Sequence, residues 1–494
     1  MRTIRHWIGG RPLAGVSGRS GPVFDPARGV QTGEVALASA GEVSDAVKVA
    51  DGASAEWGTS PLSRRTTMLF RLRELIDSHR GELAAVTTSE HGKVLSDARG
   101  EVARGLECVE FACGIPHLLK GAYSSEVSVG VDVHTILQPV GVVAGITPFN
   151  FPVMVPLWMA SNALACGNAV VLKPSERDPS ASVLLAELVQ QAGFPDGVFN
   201  VVQGDAEAVD ALLTHVDVDA LSFVGSTPVA RHVYETGTRH GKRVQALGGA
   251  KNHMIVLPDA DLAAAADAAV SAAYGSAGER CMAISVVVAV GAVGDPLVNA
   301  ISERIADVTV GPGDDPASMM GPLITAAHRD RVRSYIEGAA AEGAHVAVDG
   351  ATGVRDEGFF LGCTLLDLVE PGMRVYDEEI FGPVLCVVRV GTLEEATALV
   401  NANPYGNGVA LFTCDGGAAR RFERDVQVGM VGINVPIPVP VGWHSFGGWK
   451  ASLFGDAPIY GPEGVRFYTR PKTVTSRWPE SSVTAVDLGL PTSR

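Results

Sequence analysis

Residues 141–173 read GVVAGITPFNFPVMVPLWMASNALACGNAVVLK, and their order decides the fold class. Gly141-Val142-Val143-Ala144-Gly145-Ile146 is a short apolar run of strand length, the kind found in a buried sheet. Val155 to Cys166 has the length and composition of a helix. Ala169-Val170-Val171-Leu172-Lys173 is a second buried strand and ends in a lysine. The alternation then continues: helix Pro179 to Ala192, strand Val198 to Val202, helix Ala206 to Leu213, strand Ala220 to Val224, helix Val229 to Gly237. Strands that alternate with helices predict an α/β fold with a doubly wound parallel sheet. Ligands of such sheets bind beyond the strand C-termini. Lys173 and Gly225-Ser226 both fall there.

Outward from this stretch, a second α/β run begins after Gly248-Gly249. It opens with a strand from His253 to Leu257 and an alanine-rich helix from Leu262 to Ala273. It continues to about Asn434 and includes a helix from Glu394 to Ala402. Upstream, the first hundred residues are expected to be mostly helical. Ala46 to Trp57, Leu69 to Ile76 and Glu101 to Ala112 place apolar residues at helical spacing. Tyr123 to Leu137 alternates instead, with valine at 127, 129, 131 and 133, and predicts a strand or hairpin. Val465 to Thr475 alternates again and is expected to pair with Val127–Val133 of the same or a neighbouring subunit. Pro479 to Arg494 is a polar tail to which no regular structure is assigned.

The bulk composition narrows the class. A chain of 494 residues has room for about two or three domains. With 46% hydrophobic and 19% charged residues it builds a large core and is not disordered. A net charge of -16 argues against nucleic-acid binding, so recognition of an anionic substrate must be local. The 7 cysteines are odd in number, scattered and free of any C-x-x-C pair. That pattern fits reduced thiols in a cytoplasm better than a disulfide framework or a metal site. The N-terminus lacks a signal-peptide core, and no apolar run approaches the roughly 20 residues that span a bilayer. No membrane partner is expected.

Two segments carry the chemistry. Gly275-Ser276-Ala277-Gly278-Glu279-Arg280-Cys281 sets a cysteine in a stretch of small residues where backbone and ligand approach closely. A lone cysteine is usually a small buried hydrophobe. Thr147-Pro148-Phe149-Asn150-Phe151-Pro152 supplies an amide that would stabilise the oxyanion formed when a Cys281 thiolate attacks a carbonyl. Two further segments sit at strand ends. Gly225-Ser226-Thr227-Pro228 offers backbone N–H groups and a hydroxyl at a helix start, a phosphate-binding arrangement or a plain capped turn. Lys173-Pro174-Ser175-Glu176 pairs a cation with a carboxylate, which suits a ribose diol or a surface ion pair. No G-x-G-x-x-G fingerprint is present.

These segments, together with Glu379-Ile380-Phe381-Gly382-Pro383-Val384, occur in the order found in the aldehyde dehydrogenase superfamily. The resemblance runs from roughly residue 5 to Trp478. Within it the chain most resembles the CoA-acylating methylmalonate-semialdehyde dehydrogenase branch. Gly249-Ala250-Lys251-Asn252-His253, Gly278-Glu279-Arg280-Cys281-Met282-Ala283, Phe446-Gly447-Gly448-Trp449-Lys450 and the stretch from Lys472 to Trp478 carry that likeness.

The resemblance implies an NAD-binding domain (1–122 and 141–247), a catalytic domain (248–440), an oligomerisation arm (123–140 and 463–478) and the tail 479–494. It implies a cytoplasmic homotetramer, a dimer of dimers. It implies catalysis by Cys281 and Asn150, and a substrate carboxylate held by Arg104 and Arg280 through bidentate hydrogen bonds. Arg280 would also lower the Cys281 pKa. The NAD contacts carried over are Thr147, Phe149, Lys173, Glu176, Arg177, Ser226, Gly248, Glu379 and Phe381. Hydrolytic relatives carry E-L-G-G-K, and aligning its lysine with Lys251 puts Leu247 where their water-activating glutamate stands. Leucine takes no proton, so the acyl-enzyme waits for the thiol of coenzyme A. Ala230 replaces a glycine common among relatives and is expected to leave NAD binding intact.

The reaction so implied is oxidation and decarboxylation of malonate or methylmalonate semialdehyde to acetyl-CoA or propionyl-CoA. The alternatives are a hydrolytic NAD-dependent dehydrogenase for another semialdehyde and a catalytically silent binding protein on this scaffold.

Overall fold

The computed structural model describes residues 2–478; the expected polar tail lies outside them. Five parallel strands form the centre of an eight-stranded sheet, in the order Arg243–Leu247, Ala220–Val224, Val142–Ile146, Ala169–Lys173, Phe199–Val201. The first of these in the chain, Val142–Ile146, lies between the second and the fourth. The chain therefore winds outward in one direction and then in the other, and leaves a crevice beyond Ile146 and Val224. Antiparallel strands extend both edges: Leu453–Phe454 on one side, His6–Ile8 and Arg11–Leu13 on the other.

The physical cause is the burial that the sequence pattern foretold. Every residue of Val142–Ile146, Ala169–Lys173 and Ala220–Val224 is buried. The helix Met154–Cys166 is buried on all sides, consistent with a sequence apolar all round. Ala230 is fully buried within the core on which the helix Thr227–Arg239 packs. Its methyl group is therefore a packing group of that helix.

A second, seven-stranded sheet has the order His345–Val348, Thr364–Asp367, Val384–Val390, Ile284–Val290, Asn252–Val256, Gly408–Phe412, Met430–Ile433. All its pairings are parallel except the first. The fold class expected from the alternation is thus observed. Among the described residues no helix is long and apolar enough to cross a membrane.

The first hundred residues are mostly helical, as expected, but they open on strands. Arg2–Ile4, His6–Ile8, Arg11–Leu13, Ser20–Asp25 and Val30–Ala36 are strands that join sheets, ahead of the helices Ala40–Thr59, Leu62–Ser78, Arg80–His91 and Leu95–Cys113. Short strands studded with Gly, Pro and Arg carry little periodicity of their own. The late alternating segment is also divided. Val465 to Phe467 complete a helix, Gly461–Phe467, because Val465 and Phe467 pack into a core cluster. Only Thr469–Arg477 is a strand. It pairs antiparallel with Val131–Pro139 of the same chain over its whole length, from Thr469 opposite Pro139 to Arg477 opposite Val131. Tyr123–Ser128 completes this three-stranded sheet, which exposes Tyr123, Val127, Val129 and Ile136.

Candidate active site

The Cys281 loop begins where the helix Leu262–Tyr274 ends. It turns through Ser276 and Ala277, both left-handed with φ of 53° and 52°. At Gly278 φ is +75°, and a Cβ there would collide with the Gly382 carbonyl oxygen. Only glycine allows the loop to press onto Phe381-Gly382. Phe381 is itself left-handed, at 59°. Such conformations cost about 1–3 kcal/mol each and persist only where the surroundings impose them. Here the Cys281 carbonyl oxygen accepts from Asn252 Nδ2 at 2.9 Å and from Asn407 Nδ2 at 3.1 Å.

Cys281 is half-buried, whereas five other cysteines are buried and Cys414 is exposed. Its side chain packs against an apolar cluster that includes Phe151, Met154, Leu247, Met282, Phe446 and Tyr460. Burial pushes its thiol up to about 12, and the nearby Glu379 carboxyl acts in the same direction. The N–H groups of Cys281 and Met282 and the Arg280 charge pull the other way and lose. The expectation that Arg280 would lower the thiol pKa is therefore right in sign and too small. Arg280 is already engaged, since Nη2 donates to Asp97 Oδ1 at 2.6 Å.

Asn150 is 3% exposed and reaches the same loop: its Nδ2 donates to the Glu279 carbonyl oxygen at 2.9 Å. The Glu279 carboxyl is fully buried, accepts from the Ile324 N–H and faces His91 and His328 at 3.7 and 3.6 Å. Burial holds it well above the usual carboxylate range.

The helix Leu95–Cys113 turns one face to this site. Asp97, Glu101, Arg104 and Cys108 follow one another at helical spacing, and each touches it. Asp97 holds Arg280. Glu101 accepts from the Val153 and Met154 N–H groups at 2.8 and 3.1 Å. Cys108 joins the apolar cluster. Arg104 donates to both Glu107 oxygens at 3.0 and 2.9 Å, and to the carbonyls of Val439 at 3.1 Å and Pro440 at 2.8 Å. Val439 packs on the Cys281 cluster. The structure thus gathers Cys281, Asn150, Arg104 and Arg280 around one helix face.

Of the remaining predicted residues, most stand at or just past strand ends of the first sheet, while Glu379 and Phe381 lie in the loop ahead of Val384–Val390. Thr147 follows Val142–Ile146, and its Oγ1 is buried without a hydrogen-bond partner. Lys173 is buried at its strand end, with Nζ 3.4 Å from Glu176 Oε2. Exposed Arg177 lies over the Phe149 ring at 5.2 Å. Ser226 is the N-cap of Thr227–Arg239, yet its hydroxyl makes no capping bond and is left facing outward. The Gly248 N–H donates to the Ser452 carbonyl at 3.0 Å. Glu379 Oε1 accepts from the Ala250 N–H at 2.9 Å, and a Cβ on Gly249 would collide with its other oxygen. The Phe381 ring meets Phe149 edge-on at 5.9 Å. An unpartnered threonine hydroxyl, a free helix N-terminus, one carboxylate just past a strand end and a second in the loop ahead of Val384–Val390 suit a dinucleotide, with its pyrophosphate and two ribose diols.

Sequence reasoning overlooked Lys93, Asp97, Glu101 and Asn407. The helix-face spacing of Asp97, Glu101 and Arg104 was a usable signal. For Lys93 and Asn407 no local signal exists.

Residues 14–474 match the profile of the aldehyde dehydrogenase family. The chain is 53% identical over 484 residues to the malonate-semialdehyde dehydrogenase of Pseudomonas aeruginosa, covering 97% of each chain. It is 47% identical over 480 residues to malonate-semialdehyde dehydrogenase 2 of Geobacillus kaustophilus, covering 97% of this chain and 99% of that one. Among solved structures, the methylmalonate-semialdehyde dehydrogenase of Oceanimonas doudoroffii superposes with a TM-score of 0.96 at 54% identity, over 98% of this chain and 100% of that one. A Sinorhizobium meliloti protein assigned to the methylmalonate-semialdehyde dehydrogenases, solved in complex with NAD, gives 0.96 at 50% identity over 98% and 99%.

Proposed function

The chain belongs to the aldehyde dehydrogenase family, and from that premise we propose that it oxidises malonate or methylmalonate semialdehyde and hands the acyl group to coenzyme A. The observation that carries the proposal is Leu247. It is 3% exposed, ends the strand Arg243–Leu247 and packs in the apolar cluster that touches Cys281. Where hydrolytic relatives place a carboxylate base, this site has a leucine.

In the proposed mechanism the Cys281 thiol gives its proton to water, and the Sγ thiolate attacks the aldehyde carbon, the C–S bond forming as the C=O π electrons pass to the oxygen. The Asn150 side-chain amide and the Cys281 N–H donate to the resulting oxyanion. Bound NAD supplies the hydride acceptor. Lys173 and Glu176 would hold the cofactor's adenine ribose, with Arg177 and Ser226 at the same end; Thr147, Phe149 and Gly248 would lend backbone or packing; Glu379 would hold the nicotinamide ribose, with Phe381 packed beside it. Arg104 and Arg280 bind the substrate carboxylate. On the thioester that carboxylate departs, and the C–C bonding electrons pass into the acyl carbonyl, where the same two donors stabilise the enolate. After protonation, the thiol of coenzyme A takes the acyl group and Cys281 is released. Glu379 is the carboxylate within electrostatic reach of Cys281. Its Oε1 is committed to Ala250, so it is a poor base for water.

The domain limits 1–122 with 141–247, 248–440 and 123–140 with 463–478 go with this assignment. The three-stranded sheet, with its exposed apolar side chains, serves as the arm of a homotetrameric dimer of dimers. The absence of a C-x-x-C pair fits a cytoplasmic setting.

The test is NADH formation with and without coenzyme A, with product identification. Loss of general-base assistance slows deacylation about 10²- to 10⁴-fold. Without coenzyme A the enzyme gives a burst near one equivalent per site and then slow turnover; coenzyme A restores the rate and yields an acyl-CoA. Rapid, burst-free release of a free acid, indifferent to coenzyme A, refutes the proposal.

A further inference from the structure

Beneath the Asn150 turn lies a buried ion pair that the mechanism above does not use. Lys93 and Glu101 side chains are both fully buried, with Nζ 2.8 Å from Oε2. Lys93 sits in the three-residue link between the helices Arg80–His91 and Leu95–Cys113, so its backbone is held at both ends. Its Nζ also donates to the Asn150 carbonyl oxygen at 2.6 Å and lies 4.3 Å from the centre of the Phe151 ring. Glu101 uses its second oxygen on the Val153 and Met154 N–H groups. These open the helix Met154–Cys166, whose N-cap, Val153, has no capping side chain of its own. The pair therefore grips the turn from Asn150 to Met154 at both ends: a cation on its first carbonyl, an anion on its last two amides. From the residue held by the first grip, the Asn150 side chain is aimed at the Cys281 loop.

Two neighbouring acids do not share this task. Asp178 is buried, and no hydrogen bond ties its carboxyl to the turn from Asn150 to Met154. Burial holds it, like Glu279, far above the usual range. Buried ion pairs add little net stability compared with apolar replacements, so a pair kept here calls for another reason.

We infer that Lys93 and Glu101 are positioning residues that fix the Asn150 amide where the oxyanion develops. The inference rests on the assignment of Asn150 as an oxyanion donor. The Lys93→Met/Glu101→Gln double variant removes both charges without stranding either one, and the introduced carboxamide keeps an acceptor for the Val153 and Met154 amides. The assay is the single-turnover NADH burst with NAD and malonate semialdehyde.

Asn150→Ala is expected to slow the burst about 10²- to 10³-fold. The double variant is expected to slow it about 10- to 100-fold through misplacement of the amide, with NAD affinity, semialdehyde KM and melting temperature close to wild type. On an Asn150→Ala background, the Lys93 and Glu101 changes should add less than about twofold, because all three act through one group. Glu101→Gln alone, the milder change, replaces the double variant if that fails to fold; about 3- to 10-fold slowing is expected, again without additivity. A burst within about threefold of wild type when Asn150→Ala is slow, or a fully multiplicative loss on the Asn150→Ala background, overturns the inference and leaves the pair a structural one. Wild-type kinetics in Asn150→Ala would instead overturn the oxyanion assignment beneath it.

Discussion

Replacing Arg104 with leucine would separate the proposed substrate recognition from folding, and the structure sets the size of the folding effect. Arg104 spends its donors on Glu107, Val439 and Pro440. The Pro440 carbonyl keeps a donor without it, because Tyr460 Oη also donates there at 2.7 Å. Val439 is half-buried and the Glu107 side chain is 29% exposed, so neither is sealed from water. A partly exposed salt bridge and one replaceable hydrogen bond together amount to roughly 1–2 kcal/mol of stability. The substrate term is different in kind. A carboxylate held by a guanidinium contributes about 1.5–3 kcal/mol, or roughly 10- to 150-fold in kcat/KM. Propanal has no carboxylate and lacks that term. The assay compares kcat/KM for malonate semialdehyde and propanal in wild type and Arg104→Leu, with thermal melting as the control for folding. The ratio of the two substrates should fall by about 10- to 150-fold while melting shifts little. Equal losses for both substrates would show that Arg104 acts only as a tether for the Val439–Pro440 segment.

Two other measurements follow from the geometry. Glu176, half-buried beside Lys173 at its strand end, should favour a free ribose 2′-hydroxyl over a 2′-phosphate; wild type should prefer NAD to NADP in kcat/KM, and Glu176→Gln should narrow that preference at least about tenfold, whereas a wild-type preference for NADP would contradict the placement. Burial of the Cys281 thiol, which carries it up to about 12, leaves the deprotonated form scarce at neutral pH. Iodoacetamide labelling of Cys281 in the free enzyme, followed by peptide mass spectrometry, should therefore rise about tenfold per pH unit between pH 7 and 10, and a plateau below pH 8 would show that the Cys281 and Met282 amides and Arg280 outweigh burial.

Much of the site could be found without a structure, for a local reason. Thr147 directly follows a buried strand, Lys173 ends one and Ser226 stands two residues beyond another, and in a doubly wound sheet that position brings them to the ligand crevice. Cys281 and Asn150 stand in segments whose composition is unusual enough to be noticed. Lys93 had no such mark: between two helices a lysine reads as solvent-exposed, and only packing shows it to be buried against Asn150, 57 residues away. Asp97 had its helix-face spacing as a mark, but its partner was hidden, since Arg280 lies 183 residues further on.

The sequence by itself determined the layered α/β plan, the strands that place the crevice and the leucine at position 247 on which the proposed acyl acceptor rests. These are properties of short segments, written in hydrophobic period and in residue identity at single positions. Tertiary structure alone decided that Thr469–Arg477 pairs with Val131–Pro139 of its own chain, and that Val465 and Phe467 turn inward on a helix. It alone decided that Asp97, Glu101 and Arg104 meet the Cys281 and Asn150 loops on one helix face. Those outcomes depend on which buried surfaces find one another across the chain, and a local pattern of apolar and polar residues does not specify its distant partner.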